Sequence, residues 1–224
     1  VGHEAEPKNG PEPSRLDWWQ TVRQSLPVVW RVARNLSPAF EMRSLCELDE
    51  AFLERNGVRG ILWDVDGTLT HYHAHEVAPE AACAAPLFAN GKLRHAILSN
   101  SDDLRFAQLG RLFHGVPVLK LYEADGTLVG RRLEGGVEQW RGAPRPGMRA
   151  LRKPNAALVT FAVAELGMEA AQVIMVGDQY WTDVAGANLG GVRSVHVPTI
   201  GRRTFPRAIR WMQRVEGWLR RVLA

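Results

Sequence analysis

Five short apolar runs, at residues 60–64, 95–99, 116–121, 173–176 and 194–197, alternate with helical patterns at 79–90, 102–113, 154–166 and 183–189. This rhythm limits the possible folds more than any other feature. Strands that are apolar at consecutive positions need cover on both faces, and helices placed between them supply it. The expected fold class is α/β, a Rossmann-like doubly wound sheet of about five parallel strands. One segment departs from the rhythm: residues 121–133 carry Asp125-Gly126 between two apolar runs, which predicts a small β-hairpin insertion.

The flanks read differently. Residues 1–15 are polar and Pro-rich, the composition of a disordered tail. Residues 16–57 read as an N-terminal helical segment. Its first part, 16–35, carries Trp18, Trp19 and Trp30 and forms one helix kinked at Pro27 or two short ones. A further helix at 48–56 ends at Gly57. Residues 58–200 are expected to make the α/β core, and 201–224 a basic amphipathic helix. With 224 residues, 46% of them hydrophobic, the chain can bury a core without staples. Cys46 and Cys83 are too few for a disulfide framework or a four-ligand zinc site, so two buried thiols in a reducing compartment are expected. No run of 18 apolar residues is present, and the first residues lack the apolar core of a secretory signal.

The chemistry gathers at strand ends. Ile61-Leu-Trp-Asp64-Val-Asp66-Gly-Thr68-Leu-Thr70 runs an apolar strand into two carboxylates, with Gly67 permitting a sharp turn. In open α/β sheets, ligands bind beyond the carboxyl ends of the strands. The next strand ends in Ser99-Asn100-Ser101, a hydroxyl and an amide suited to an anionic oxygen; Ser101 or Asp102 also reads as a helix cap. Thr68 and Asn100 are the candidate substrate-binding groups. A later strand ends in Gly177-Asp178, with Asp183 five residues on; Thr182 or Asp183 also suits a cap. Lys153 precedes Pro154, whose ring suits a first helical turn, so Lys153 is expected at a helix entry that favours anions. Carboxylates brought together at strand ends repel one another unless a divalent cation joins them, and Mg²⁺ prefers hard oxygen ligands. A phosphate dianion then approaches a carboxylate nucleophile with its charge shielded, and aspartyl phosphate formation is known chemistry.

These elements, in this order, resemble the haloacid dehalogenase superfamily of phosphatases. The resemblance implies that Asp64 is nucleophile and metal ligand. It implies that Asp66 protonates the leaving oxygen, then activates water, and offers its carbonyl to the metal. Ser99 and Lys153 are implied to hold the phosphoryl group, Asp178 to ligate Mg²⁺, and Asp183 to serve as ligand or as an acid behind the ligands. The string Gly177-Asp-Gln-Tyr-Trp-Thr182-Asp-Val-Ala-Gly186-Ala-Asn188 is similar to the phosphatidylglycerophosphate phosphatase branch, as is the approach at 45–60. The branch often has Asn where Gly67 and Ser101 stand, and the span from Ser99 to Lys153 is longer here.

Few residues separate Thr70 from Ser99, and a helix and a strand occupy most of them, so no large cap is expected and the site reads as open. The formal charge is +4, and residues 202–224 hold seven Arg and one Glu. On a helical wheel Ala208, Trp211, Val215, Trp218, Leu219 and Val222 share one arc, flanked by Arg207, Arg210, Arg214 and Arg221. That pattern fits a helix lying in a membrane interface, or one packing its apolar arc on the domain. His71, His73 and His75 alternate after the first motif, but imidazoles suit a hard-ion site poorly, and an entrance role is expected instead.

The leading expectation is a Mg²⁺-dependent phosphomonoesterase, cytoplasmic and peripheral on the inner membrane face, acting on phosphatidylglycerophosphate. A phosphatase of the same superfamily acting on nucleic-acid ends, sugar phosphates or phosphoproteins is the alternative. A non-catalytic basic protein binding membrane or nucleic acid is the alternative from another class. No nucleic-acid partner is expected under the leading reading, and oligomeric state is left open.

Overall fold

A computed structural model describes Arg23 and residues 29–223. The expected tail at 1–15, and most of the helical segment before residue 29, lie outside the described residues. Among the described residues nine strands form one sheet: β1 (Phe40–Glu41), β2 (Gly60–Trp63), β3 (Arg94–Ile97), β4 (Val118–Ala124), β5 (Thr127–Glu134), β6 (Val137–Arg141), β7 (Arg149–Leu151), β8 (Val173–Gly177) and β9 (Arg193–His196). The helices bounded within residues 29–223 are α1 (Val29–Ala33), α2 (Glu50–Arg55), α3 (Ala85–Ala89), α4 (Asp103–Leu112), α5 (Ala156–Leu166), α6 (Ala185–Leu189) and α7 (Arg207–Leu223).

The strand order is β1-β9-β8-β2-β3-β4-β5-β6, with β7 also pairing β4. The pairs from β1 to β4 are parallel, in the register Leu62↔Ala96 and Leu62↔Met175 about the central strand β2. Side chains alternate across a strand, so β2 feeds two cores. Ile61 and Trp63 join Ile97, Phe106, Leu109 and Val176 on one face. Leu62 joins Ala96, Met175, Leu158, Val159 and Ala162 on the other. Both faces are dry, which accounts for the near-continuous hydrophobic runs of β2 and β8.

The sheet is wider than the expected five strands. Two-residue β1 pairs β9 from within the segment read as helical, so the sheet begins before residue 58. The hairpin forms at Asp125-Gly126, both at positive φ (49° and 75°), as a tight turn between β4 and β5. It does not stop there. Gly135-Gly136, also at positive φ (56° and 80°), reverses the chain again into β6. β7 then pairs the C-terminal half of β4, beyond the single β3 contact at Val118. The insertion is therefore an antiparallel extension of the sheet rather than a lone hairpin. Arg132 ties it to Glu165 of α5 at 3.0 Å, and Arg131 to Asp103 of α4 at 3.0 Å.

Three local expectations are corrected. The helix at 79–90 is a 3-10 segment, Pro79–Ala84, followed by α3, because Pro86 has no N–H to donate and breaks the run. Pro154 lies before α5 rather than in its first turn; Asn155 is the cap, accepting from the Ala157 N–H at 2.9 Å. The helix at 183–189 begins earlier, as a π-helical turn over Tyr180–Val184 that runs into α6. The cysteines are also corrected. Cys46 and Cys83 form a disulfide with a Cα–Cα distance of 5.4 Å, joining the 3-10 turn Leu45–Glu47 to Pro79–Ala84. Cys46 is exposed, not a core hydrophobe. The spacing of the two residues along the chain carries no sign that these two turns stack.

Candidate active site

The strand ends of β2, β3 and β8 meet at one edge of the sheet, with the loops after them. The Asp64 N–H still donates to Val176 O at 2.9 Å, so Asp64 prolongs β2 by one residue. The chain then turns tightly, with the amides of Thr68, Leu69 and Thr70 all donating to Val65 O. Gly67 makes this turn possible: its φ is +96°, and a Cβ there would lie 2.8 Å from Asp178 Oδ2. Gly177 at the end of β8 is constrained similarly, since a Cβ would come within 2.4 Å of the Asp183 side chain. Two glycines thus let the loops bearing Asp64, Asp178 and Asp183 approach one another.

Asp64, Asp178 and Asp183 each place a carboxylate oxygen within 4.8 Å of the other two, all three buried. Lys153 lies among them, 2% exposed. Its Nζ donates to Asp64 Oδ1 at 2.5 Å and to Asp183 Oδ1 at 2.7 Å. Burial and then the Asp183 charge push the Asp64 carboxyl up to about 7, against the pull of Lys153. Burial, with Asp64 and Asp183 nearby, raises Asp178 well above the usual carboxylate range. Burial opposes the charge on Lys153, but Asp183 and Asp64 outweigh it and hold the ammonium protonated. The remaining oxygen of Asp183 accepts from the Gln179 N–H at 3.0 Å. Asp178 Oδ1 is buried without a partner. An orphaned carboxylate oxygen beside two further buried carboxylates, all hard donors, fits a small divalent cation.

The other expected residues fall around this cluster. Thr68 is fully buried and its hydroxyl lies 3.4 Å from Asp64 Oδ2. Ser99 follows β3 and is partly exposed. The Asn100 amide accepts from Lys153 N at 2.8 Å and donates to Lys153 O at 3.0 Å. These bonds fix the backbone of Lys153 and use one of the two amide N–H donors of Asn100. Asp102, not Ser101, caps α4, accepting from the Arg105 N–H at 2.7 Å. Of the three histidines, His71 pairs with Glu80 at 3.3 Å, His73 uses its backbone N–H on Asp66, and His75 is exposed.

A family model described as HAD-hydrolase-like matches residues 150–205, which contain Lys153, Asp178 and Asp183. A chloroplastic phosphatidylglycerophosphate phosphatase 1 of Chlamydomonas reinhardtii is 30% identical over 177 residues, 78% of this chain and 57% of that protein. The chloroplastic/mitochondrial phosphatidylglycerophosphate phosphatase 1 of Arabidopsis thaliana is 25% identical over 210 residues, 90% of this chain and 53% of that one. Residues 150–205 are similar to the haloacid dehalogenase-like family, and most of the chain is similar to these two phosphatases. The chain spans little more than half the length of these two curated relatives. Among solved structures, an uncharacterized protein of Listeria monocytogenes serotype 4b aligns with a TM-score of 0.39 and 18% identity, over 61% of this chain and 76% of that one.

Within this site, three residues escaped the sequence reading. Arg105 of α4, 2% exposed, reaches the first motif and pairs with Asp66 at 2.8 Å. Gln213 of α7 donates to Asp178 Oδ2 at 3.2 Å. Glu216, one helical turn on and 2% exposed, accepts from the Trp181 N–H at 3.4 Å. None belongs to a motif. The only sequence signal was a polar stripe, Gln213, Glu216 and Arg220, at spacings of three and four along the last helix.

Proposed function

We propose that the protein is a Mg²⁺-dependent phosphomonoesterase that works through an aspartyl phosphate on Asp64. The observation that carries this reading is the buried triad Asp64, Asp178 and Asp183 gathered about Lys153, with Asp178 Oδ1 lacking a partner. Asp64, Asp178, Asp183 and the Asp66 carbonyl would hold the ion. Bound there, Mg²⁺ supplies positive charge that neutralises the carboxylates and the phosphoryl oxygens.

The chain's own groups account for the rest. Lys153 orients Asp64 and offers positive charge to the incoming phosphoryl group, with Asn100 holding its backbone in place. An oxygen of Asp64 attacks phosphorus, and the ester P–O bond breaks with its electron pair going to the leaving oxygen. That oxygen takes a proton from Asp66. Water then gives a proton back to Asp66, and its oxygen displaces Asp64 from phosphorus. Ser99 and Thr68 stand at the strand ends where phosphoryl oxygens need donors. Burial of the site strengthens each of these charge interactions.

Phosphatidylglycerophosphate at a membrane surface is the substrate we propose, on the kinship with the two plant and algal phosphatases. The outward face of α7 supports it: Trp211 is 65% exposed and Trp218 57%, with Arg207 and Arg214 exposed near them. Trp30 of α1 is also exposed. Among the described residues no helix is long and apolar enough to cross a membrane. Indoles with arginines on an exposed helix face suit the headgroup layer.

The test is phosphate release with Mg²⁺ from phosphatidylglycerophosphate vesicles, oligonucleotide ends and soluble sugar phosphates. Preference for the vesicles is expected, with loss of turnover in Asp64→Asn. Equal phosphate release by the wild type and the variant ends the enzyme reading. Preference for a soluble ester keeps the reaction and discards the lipid.

A further inference from the structure

Asp66 is held asymmetrically. Its Oδ1 accepts from Arg105 Nη2 at 2.8 Å, from the His73 N–H at 2.9 Å and from the Thr70 hydroxyl at 3.4 Å. Every hydrogen bond recorded for the carboxylate falls on this one oxygen, and Oδ2 has none among the described residues. Oδ2 is also not among the buried polar atoms that lack a partner. The side chain stays 16% exposed.

Arg105 is itself fixed from several sides. Asp102 caps α4 by accepting from the Arg105 N–H. Arg105 Nη1 donates to Ala74 O at 2.6 Å, and Nη2 also reaches the Thr70 hydroxyl at 3.3 Å. A planar guanidinium with its donors in a rigid fork transmits that placement to whatever it binds. Holding a fully buried arginine beside the site has a desolvation cost, which its pairing with Asp66 offsets.

We infer that Arg105 is a positioning residue for proton transfer: it anchors Oδ1 of Asp66 so that Oδ2 alone faces the leaving oxygen and carries the proton. The inference rests on the phosphatase reading, and it adds which oxygen works and what aims it. An anchored Oδ1 accepts charge-assisted bonds whether Oδ2 holds its proton or has given it up. In the first half-reaction the proton moves from Oδ2 to the departing ester oxygen. In the second it moves from water to the same Oδ2. The carboxyl does not have to rotate between the two.

The consequence depends on the leaving group. A nitrophenolate departs without help, whereas an alkoxide needs the proton. Positioned acid catalysis contributes about 10²–10⁴-fold. The experiment is single-turnover release of the leaving group, with enzyme in excess, from nitrophenyl phosphate and from phosphatidylglycerophosphate in detergent micelles. This reads the first half-reaction alone. Arg105→Met is expected to slow release from the alkyl ester by about 100-fold and from the aryl ester by less than about fivefold. Asp66→Asn is expected to give the same split, and the double variant to be no worse than Asp66→Asn alone. Arg105→Lys, which keeps the charge but not the fork, recovers part of the alkyl-ester rate. It serves as the readout if Arg105→Met does not fold by circular dichroism.

Equal slowing on both esters, or losses that add in the double variant, means that Arg105 only braces the 66–74 loop and overturns the proposal alone. A wild type inert toward both esters overturns the phosphatase reading, and this inference with it.

Discussion

Gln213 Nε2 donates to Asp178 Oδ2 at 3.2 Å, so the last helix of the chain reaches into the acidic cluster. The same amide lies 3.4 Å from the Thr199 hydroxyl, which ties α7 to the loop after β9. One oxygen of Asp178 is thereby occupied, and the other, unpartnered, is left for a cation. Removing one hydrogen bond of this kind costs about 1 kcal/mol. Gln213→Ala is therefore expected to raise the Mg²⁺ concentration for half-maximal activity by roughly fivefold, and to weaken Mn²⁺ binding, read by electron paramagnetic resonance, by a similar factor. Unchanged Mn²⁺ affinity would show that Asp178 keeps its orientation without the helix.

Lys153 carries the second prediction. It is the cation shared by two buried carboxylates, at 2.5 Å and 2.7 Å. Taking away one member of a buried ion pair costs about 3–5 kcal/mol, because the remaining charges lose their compensation. Lys153→Met is expected to abolish phosphate release and to lower the melting temperature in metal-free buffer. Added Mg²⁺ is expected to restore part of the melting temperature but not the activity. A variant that melts like the wild type in chelator would refute the compensation argument.

Glu216 gives a pH signature. Burial raises its carboxyl from the ordinary 4.5 to about 8, and the Trp181 N–H offsets this only in part. Between those two values the folded chain holds a proton that the unfolded chain has lost. Stability from this group is therefore present at acid pH and declines as pH rises from about 4.5 to about 8. Glu216→Gln is expected to match the wild type near pH 4.5 and to melt at a higher temperature above pH 8. Thermal denaturation across that range in chelator checks it, and parallel curves for the two proteins would remove Glu216 as the cause.

Trp211 and Trp218 carry the fourth prediction. Both lie on the exposed side of α7. Replacing the two with Ala is expected to weaken sedimentation with anionic vesicles by about 10–100-fold, on the burial worth of aromatic side chains. Hydrolysis of a soluble ester should change by less than about twofold. Vesicle binding that survives the double substitution would move the contact to another surface.

The readable and unreadable parts of this molecule separate by range. Asp64, Asp66 and Thr68 sit in one turn, and Asp178 and Asp183 in another, so local spacing was enough to single them out as candidates that the fold brings near one another. The two cores were legible for a similar reason, since consecutive apolar positions in β2 and β8 require cover on both sides. Arg105 meets Asp66 across 39 residues and Gln213 meets Asp178 across 35. Each lies on a helix whose own pattern is unremarkable, and only the packed sheet brings it to the site. The Cys46–Cys83 link, across 37 residues, was missed on the same ground. The antiparallel extension was half legible: Asp125-Gly126 lies between two apolar runs and announced its first turn, while Gly135-Gly136 leads into the polar and exposed strand β6, which carries no apolar alternation.

The inward side of α7 is fastened by Gln213, Glu216 and Arg220, the last bridging Glu41 and the Tyr180 hydroxyl. The partly exposed Arg220–Glu41 pair is screened by dissolved ions, whereas sulfate salts strengthen the cohesion of apolar interiors. A single solvent variable therefore acts in opposite senses on the two: concentrated sulfate is expected to weaken this one ionic tie of the seventeen-residue rod while tightening the sheet and its flanking layers.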